Sequence, residues 1–146
     1  MSMSDQQIDL KLLRVWSRAS KTVFDNIQKD IQDRGIRFEQ FMILELLYNK
    51  GSHPIQKISD VFSIPSGSIT YVVDKLEKTG YVERQPSPDD RRSSIVVLTE
   101  KGKELFDDLF PKHVQYISEN FSFATSEEKL QLIEILKKIG IGAMDV

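Results

Sequence analysis

Two aspartates and two arginines crowd one Pro-rich turn, "PSPDDRR", from Pro86 to Arg92. A hydrophobic core has no use for such a turn, so its arginines point to something outside the chain. A guanidinium at a hairpin tip suits a narrow, electronegative minor groove. Asp90 and Arg92 are two residues apart, a spacing that lets the carboxylate hydrogen-bond the guanidinium and hold it in pose. Arg91 points elsewhere and suits a phosphate. Asp89, after Pro88, reads as turn chemistry.

A second chemical set lies upstream in "SGSITYVVDKLEK". Ile69, Val72, Val73 and Leu76 recur at helical spacing and form an inward stripe. Opposite them lie Ser66, Ser68, Thr70, Tyr71 and Lys75. Hydroxyls and a lysine on one exposed helical face can meet base edges and phosphates. Gly67 permits close backbone approach. Lys78, near the helix end, complements the helix dipole as readily as it would a phosphate.

Little else carries chemistry. The chain has no cysteine, which excludes disulfides, thiolate catalysis, cysteine redox sensing and cysteine-ligated metals. His53 reads as a loop residue and His113 as a helix-surface residue, so no metal site is expected. Glu127 and Glu128 read as first-turn helix carboxylates. No activated nucleophile, phosphate loop or acid/base pair is visible. The expectation is a protein without a cofactor that is not an enzyme.

The elements that must position these residues follow from periodicity and punctuation. Ile8, Leu12, Val15, Ala19, Val23, Ile27 and Ile31 predict a long helix over about residues 6–33, ended by Gly35. "RFEQFMILELLYNKG" is apolar nearly all round, so its helix is expected to be buried on every side. "SHPIQKISDVF" predicts a short helix. "SIPSG" breaks the chain, and Ser66 can cap the helix that follows. "YVERQ" and "SSIVVLT" predict a two-stranded hairpin around the charged turn. Thr99 caps a fifth helix, which Pro111 should kink or end. Thr125 and Glu128 form a capping box for a sixth.

This order, helix, helix, turn, helix, hairpin, is that of a winged helix-turn-helix. The fold class expected is mainly α with a small β-hairpin wing. At 146 residues a single domain is expected, with a winged region over 37–99 and helical regions at 6–36 and 100–146, whose unusually apolar terminal helices need a partner surface. The net charge is −2. From Pro54 to Thr99 six basic residues balance six acidic ones, so any binding field must come from arrangement. The N-terminus lacks a signal-peptide pattern and no apolar run approaches a membrane span, so a cytoplasmic location without membrane contact is expected.

The string Asp-x-Arg-Ser-x-Ile-x-Val-Leu-Thr-x-x-Gly, from Asp90 to Gly102, resembles the wing signature of the multiple-antibiotic-resistance regulator (MarR) family. "SGSITYVVDKLEKTGYVER" resembles that family's recognition helix and first wing strand. The similarity spans nearly the whole chain. It implies a homodimeric transcription regulator, usually a repressor, whose first and last helices interleave across the dimer, so that 6–36 and 100–146 would be dimerisation regions. It implies recognition helix 66–79 in the major groove and wing 86–93 in the minor groove of a pseudo-palindromic operator. Arg92 would be the wing finger, Asp90 its brace, and Ser66, Ser68, Thr70, Tyr71 and Lys75 helix contacts. "SGSITYVVDKLEK" further resembles a quinone- or phenol-responsive branch, implying release by a small aromatic effector. The neutral charge balance motivates one alternative, a winged-helix protein-interaction module without DNA binding.

Overall fold

The computed structural model describes residues 2–90 and 92–146. Helix α1 runs Asp5–Asp33. A capping box starts it: the Gln7 N–H donates to the Ser4 hydroxyl at 3.2 Å, and the Ser4 N–H donates to the Gln7 side chain at 2.8 Å. Gly35, at φ 87°, ends it as its composition suggests. Only Ile31 of its 29 residues is buried.

Helix α2, Phe38–Lys50, buries Phe41, Ile43, Leu44, Leu46 and Leu47, in keeping with its near-continuous apolar sequence. Strand β1 (His53–Pro54) leads into α3 (Ile55–Phe62). A left-handed Ser63, at φ 54°, turns the chain. The Ser59 hydroxyl donates to the Ile64 carbonyl across that turn, and the Ile64 N–H donates to the Ser59 carbonyl at 3.2 Å. Helix α4, Ser66–Lys78, follows. Pro65 occupies its N-cap position and no side chain caps it, so Ser66 is the first helical residue rather than the cap. The preset φ of Pro65 delivers the chain into the helix without a capping hydroxyl, which leaves the Ser66 side chain outward.

Strands β2 (Val82–Pro86) and β3 (Ser94–Leu98) form the expected hairpin. It is not a two-stranded sheet, however. β1 pairs antiparallel with β3 through His53 opposite Val96 and Pro54 opposite Ile95, giving the order β1-β3-β2. His53 is therefore a strand residue, not a loop residue. Two residues carry no readable alternation, and only the partner strand makes them a strand. Helix α5, Glu100–Asn120, continues through Pro111 rather than ending there. Phe106, Leu109 and His113 pack on either side of the proline and hold the helix together.

The chain divides into two compact units, Met1–His113 and Val114–Val146. In the first, Phe106, Leu44, Ile58, Val73 and Val96 are fully buried at 0% exposure and join α2, α3, α4, β3 and α5 into one core. Each such side chain contributes about 1.5–3 kcal/mol by burial. The Tyr48 hydroxyl donates to the Asp107 carboxylate at 2.8 Å, and Lys103 donates to the same group, tying α2 to α5. In the second unit, α6 (Ser126–Ala143) opens on the expected capping box between Thr125 and Glu128. No residue of α6 is buried. Among the described residues no helix is long and apolar enough to cross a membrane.

Candidate nucleic-acid interface

Helix α4 spends one face on the core through Ile69, Val73 and Leu76. The opposite face carries Ser68 and Tyr71, both exposed, and half-buried Lys75; Ser66, exposed in the first turn, and half-buried Thr70 lie to its side. Of the five predicted helix residues, Ser68, Tyr71 and Lys75 share one face, whereas Thr70 and Ser66 lie round the helix toward Val73. Tyr71 is 62% exposed. The Lys75 ammonium lies over its ring, 4.5 Å from the centroid. A hydrogen bond from Lys75 and its charge hold the Tyr71 phenol below its ordinary pKa, with Arg37 and Lys78 adding to the effect. Thr70 is placed less freely than expected. Its hydroxyl donates to the Ser66 carbonyl at 2.9 Å, so its proton is committed to the helix and only its lone pairs face outward.

The wing tip departs from the sequence reading in one respect. The Asp90 carboxylate accepts the main-chain N–H of Arg92 at 2.9 Å, not the guanidinium. The Ser93 hydroxyl and N–H both donate to the Asp90 carbonyl. A two-residue offset in a turn favours this side-chain-to-backbone closure over an ion pair. Asp90 therefore shapes the turn, and the Arg92 side chain has no ion-pair partner among the described residues. Arg91 lies outside the described residues.

Three residues that sequence reasoning missed join helix to wing. Arg84, on β2, donates to Asp74 and to Glu77 of α4, the latter at 2.8 Å, and its own N–H donates to Glu77 at 3.0 Å. The two acidic side chains of α4 are thereby drawn toward the wing, where one guanidinium offsets part of their charge. The i, i+3 spacing of Asp74 and Glu77 is a visible signal. Its partner is visible only once β2 is placed.

The Thr-x-x-Gly string at the end of the wing has a structural purpose. The Gly102 N–H donates to the Thr99 hydroxyl at 3.1 Å, capping α5, and that hydroxyl donates to the Gly80 carbonyl at 2.6 Å. Lys101 donates to the Thr79 carbonyl at 2.6 Å. Gly102 lies so close to the Tyr81 carbonyl and the Leu98 side chain that a Cβ would collide with both. The C-terminal end of α4 is thus clamped against the start of α5, which fixes how α4 projects.

His113 also corrects the sequence reading. It is 8% exposed, packed against Phe41 with ring centroids 4.6 Å apart, and its Nδ1 has no hydrogen-bond partner among the described residues. Burial holds its pKa below the ordinary value; Asp30 opposes this and Arg34 reinforces it. Among the described residues no three potential ligands converge on a metal position.

The chain has clear relatives. The MarR family model matches residues 38–94, which cover the second helix through the wing tip. The HTH-type transcriptional regulator MhqR of Bacillus subtilis (strain 168) is 45% identical over 134 residues, 92% of each chain. Among solved structures, AbsC, a MarR family transcriptional regulator from Streptomyces coelicolor, superposes with a TM-score of 0.84 at 20% identity, covering 100% of this chain and 99% of that one. Sco3205 from the same organism, a MarR family regulator solved in complex with DNA, gives 0.81 at 23% identity over 97% and 91%. These relatives are regulators of transcription rather than enzymes. The chain belongs to the MarR family of winged-helix transcriptional regulators.

Proposed function

We propose that the chain acts in the cytoplasm as a homodimeric repressor of a pseudo-palindromic operator. Recognition helix α4 would enter the major groove through Ser66, Ser68, Thr70, Tyr71 and Lys75. The wing would reach the minor groove through Arg92, with Arg91 on phosphate and Asp90 closing the turn. One observation carries this reading: the acids of α4 are bound to Arg84, while Lys75 and Arg92 make no ion pair with a carboxylate among the described residues. A neutral region thereby presents a cationic surface, which is what a polyanion requires. The same observation weakens the interaction-module alternative, which rested on the neutral count.

The dimer is supported by apolar surface. Leu132, Ile135 and Ile141 of α6 are 52%, 53% and 69% exposed, and Leu13 and Val15 of α1 are 60% and 56% exposed. Large apolar side chains left exposed along two helices point to an association surface. A dimer would set two recognition helices roughly 34 Å apart, one DNA turn. A small aromatic effector, a phenol or quinone by the resemblance of "SGSITYVVDKLEK", would lower affinity by favouring another spacing.

Arg92→Ala and Ser68→Ala test the assignment separately. Each is expected to weaken operator binding about tenfold or more. Wild-type affinity in both variants would contradict it. Absence of salt-dependent binding to any duplex, beside a stable protein complex, would favour the interaction module.

A further inference from the structure

Arg37 precedes the first residue of α2 and played no part in the sequence reading. Its side chain is exposed and makes no ion pair among the described residues. It lines an open cleft of about 450 Å3 together with Gly67, Ser68, Tyr71, Val72 and Lys75 of α4. Its charge reaches the Tyr71 phenol, alongside that of Lys75. Two cations and a phenol hydroxyl thus converge on one depression beside the recognition face.

The helical wheel fixes which side of α4 this is. At about 100° per residue, Asp74 and Glu77 lie roughly 60° and 120° to one side of Tyr71, while Ser68 and Val72 lie roughly 60° and 100° to the other. Arg84 holds the first side, so the wing flanks α4 there. Val72 and Ser68 line the cleft on the second, so α2 flanks α4 there. Tyr71 and Lys75 stand between. A helix in the major groove has a phosphate backbone on each side of it, about 12 Å apart. The wing accounts for only one of them.

We propose that Arg37, Lys75 and Tyr71 form a phosphate seat for the operator strand on the side of α4 away from the wing. The ligand is a phosphodiester of duplex DNA, held by charge and not by base identity. The inference rests on the DNA-binding reading above and adds a second backbone clamp to it. Glu39 lines the same cleft and opposes an anion, which gives the proposal a sign test.

The experiment uses the full chain and a duplex that it selects from a random library. Affinity is followed against salt for wild type, Arg37→Gln, Glu39→Gln and Ser68→Ala. Arg37→Gln should bind about tenfold or more weakly at 0.1 M salt, and a dimer should lose about 2 units of log–log salt slope, near 0.9 per phosphate. Its preferred bases should be unchanged. Glu39→Gln should bind a few-fold more tightly. A methylphosphonate at the seated position should weaken wild type more than Arg37→Gln, which keeps only Lys75 and Tyr71 on that phosphate. Both variants change exposed side chains, so equal thermal midpoints should accompany these shifts. Wild-type slope and affinity in Arg37→Gln, while Ser68→Ala alters base preference, would overturn the seat and leave DNA binding intact. Equal methylphosphonate effects in both proteins at every position would overturn it as well. A wild-type protein that selects no duplex at low salt would overturn both readings.

Discussion

Helices α4 and α6 are both amphipathic in sequence, and they end in opposite states. α4 has 13 residues and buries Ile69, Val73 and Leu76 within its own unit. α6 has 18 residues and buries none, although Leu130, Leu132, Ile133 and Ile135 lie along it. Apolar area left in water forgoes about 25 cal/mol per Å2. The apolar face of α4 is satisfied inside the chain, so its outer, polar face is available to a partner of opposite charge. The apolar face of α6 is unsatisfied, so its partner must be apolar. The two faces call for different partners, which is why one chain carries both a DNA reading and a dimer reading.

The largest expected effect breaks the α6 side of this contrast. Leu132→Glu with Ile135→Glu should convert the dimer to monomer in sedimentation and lower operator affinity at least a hundredfold, because four charges enter the association surface. A dimer unchanged in sedimentation would mean that the partner of α6 is something else. The next strikes the seat of α4. Gly102→Ala places a methyl against the Tyr81 carbonyl and Leu98, and should destabilise by about 1–3 kcal/mol in denaturant titration. Operator binding should weaken in step, because the clamp that orients α4 must shift.

A smaller effect concerns the core behind α4. The His113 pKa is lowered in the folded protein, so the neutral form is favoured there. Between that lowered value and the ordinary value near 6.5, the unfolded chain binds more protons. The contribution of His113 is therefore complete above about pH 6.5 and declines as pH falls through the folded value. Stability measured from pH 7.5 to 5.5 should fall, and His113→Gln should flatten that dependence. An identical slope in the variant would remove His113 as its source. The smallest effect belongs to the wing. Asp90→Asn keeps an oxygen for the Arg92 N–H, so operator affinity should change less than threefold, while Asp90→Ala should weaken it further. A large loss in Asp90→Asn alone would restore the carboxylate as a brace for the guanidinium.

Much of this architecture was legible because it is local. Helical periodicity placed α1 to α6, Gly35 marked the end of α1, and Thr125 with Glu128 announced α6. The shared face of Ser68, Tyr71 and Lys75 was legible for the same reason, since helix geometry alone puts them together. What was not legible depends on residues distant in sequence. β1 exists only because Val96 and Ile95 stand opposite it. His113 is buried by Phe41, some seventy positions away, and Arg84 finds Asp74 and Glu77 only when β2 folds back on α4. Arg37 carried no signal in the sequence, because the α4 residues that share its cleft lie some thirty positions on. Asp90 was misjudged for a different reason. The spacing was right, but in a tight turn the backbone N–H is nearer than the guanidinium.

The measurement that bears most directly on the central claim is selection of bound duplexes from a random library, with stoichiometry then determined on the selected sequence. The account predicts a pseudo-palindrome with half-sites about one helical turn apart, two protomers bound, and A·T-rich flanks where the wing lies. No enrichment at low salt, or one protomer on a single asymmetric site, would contradict it.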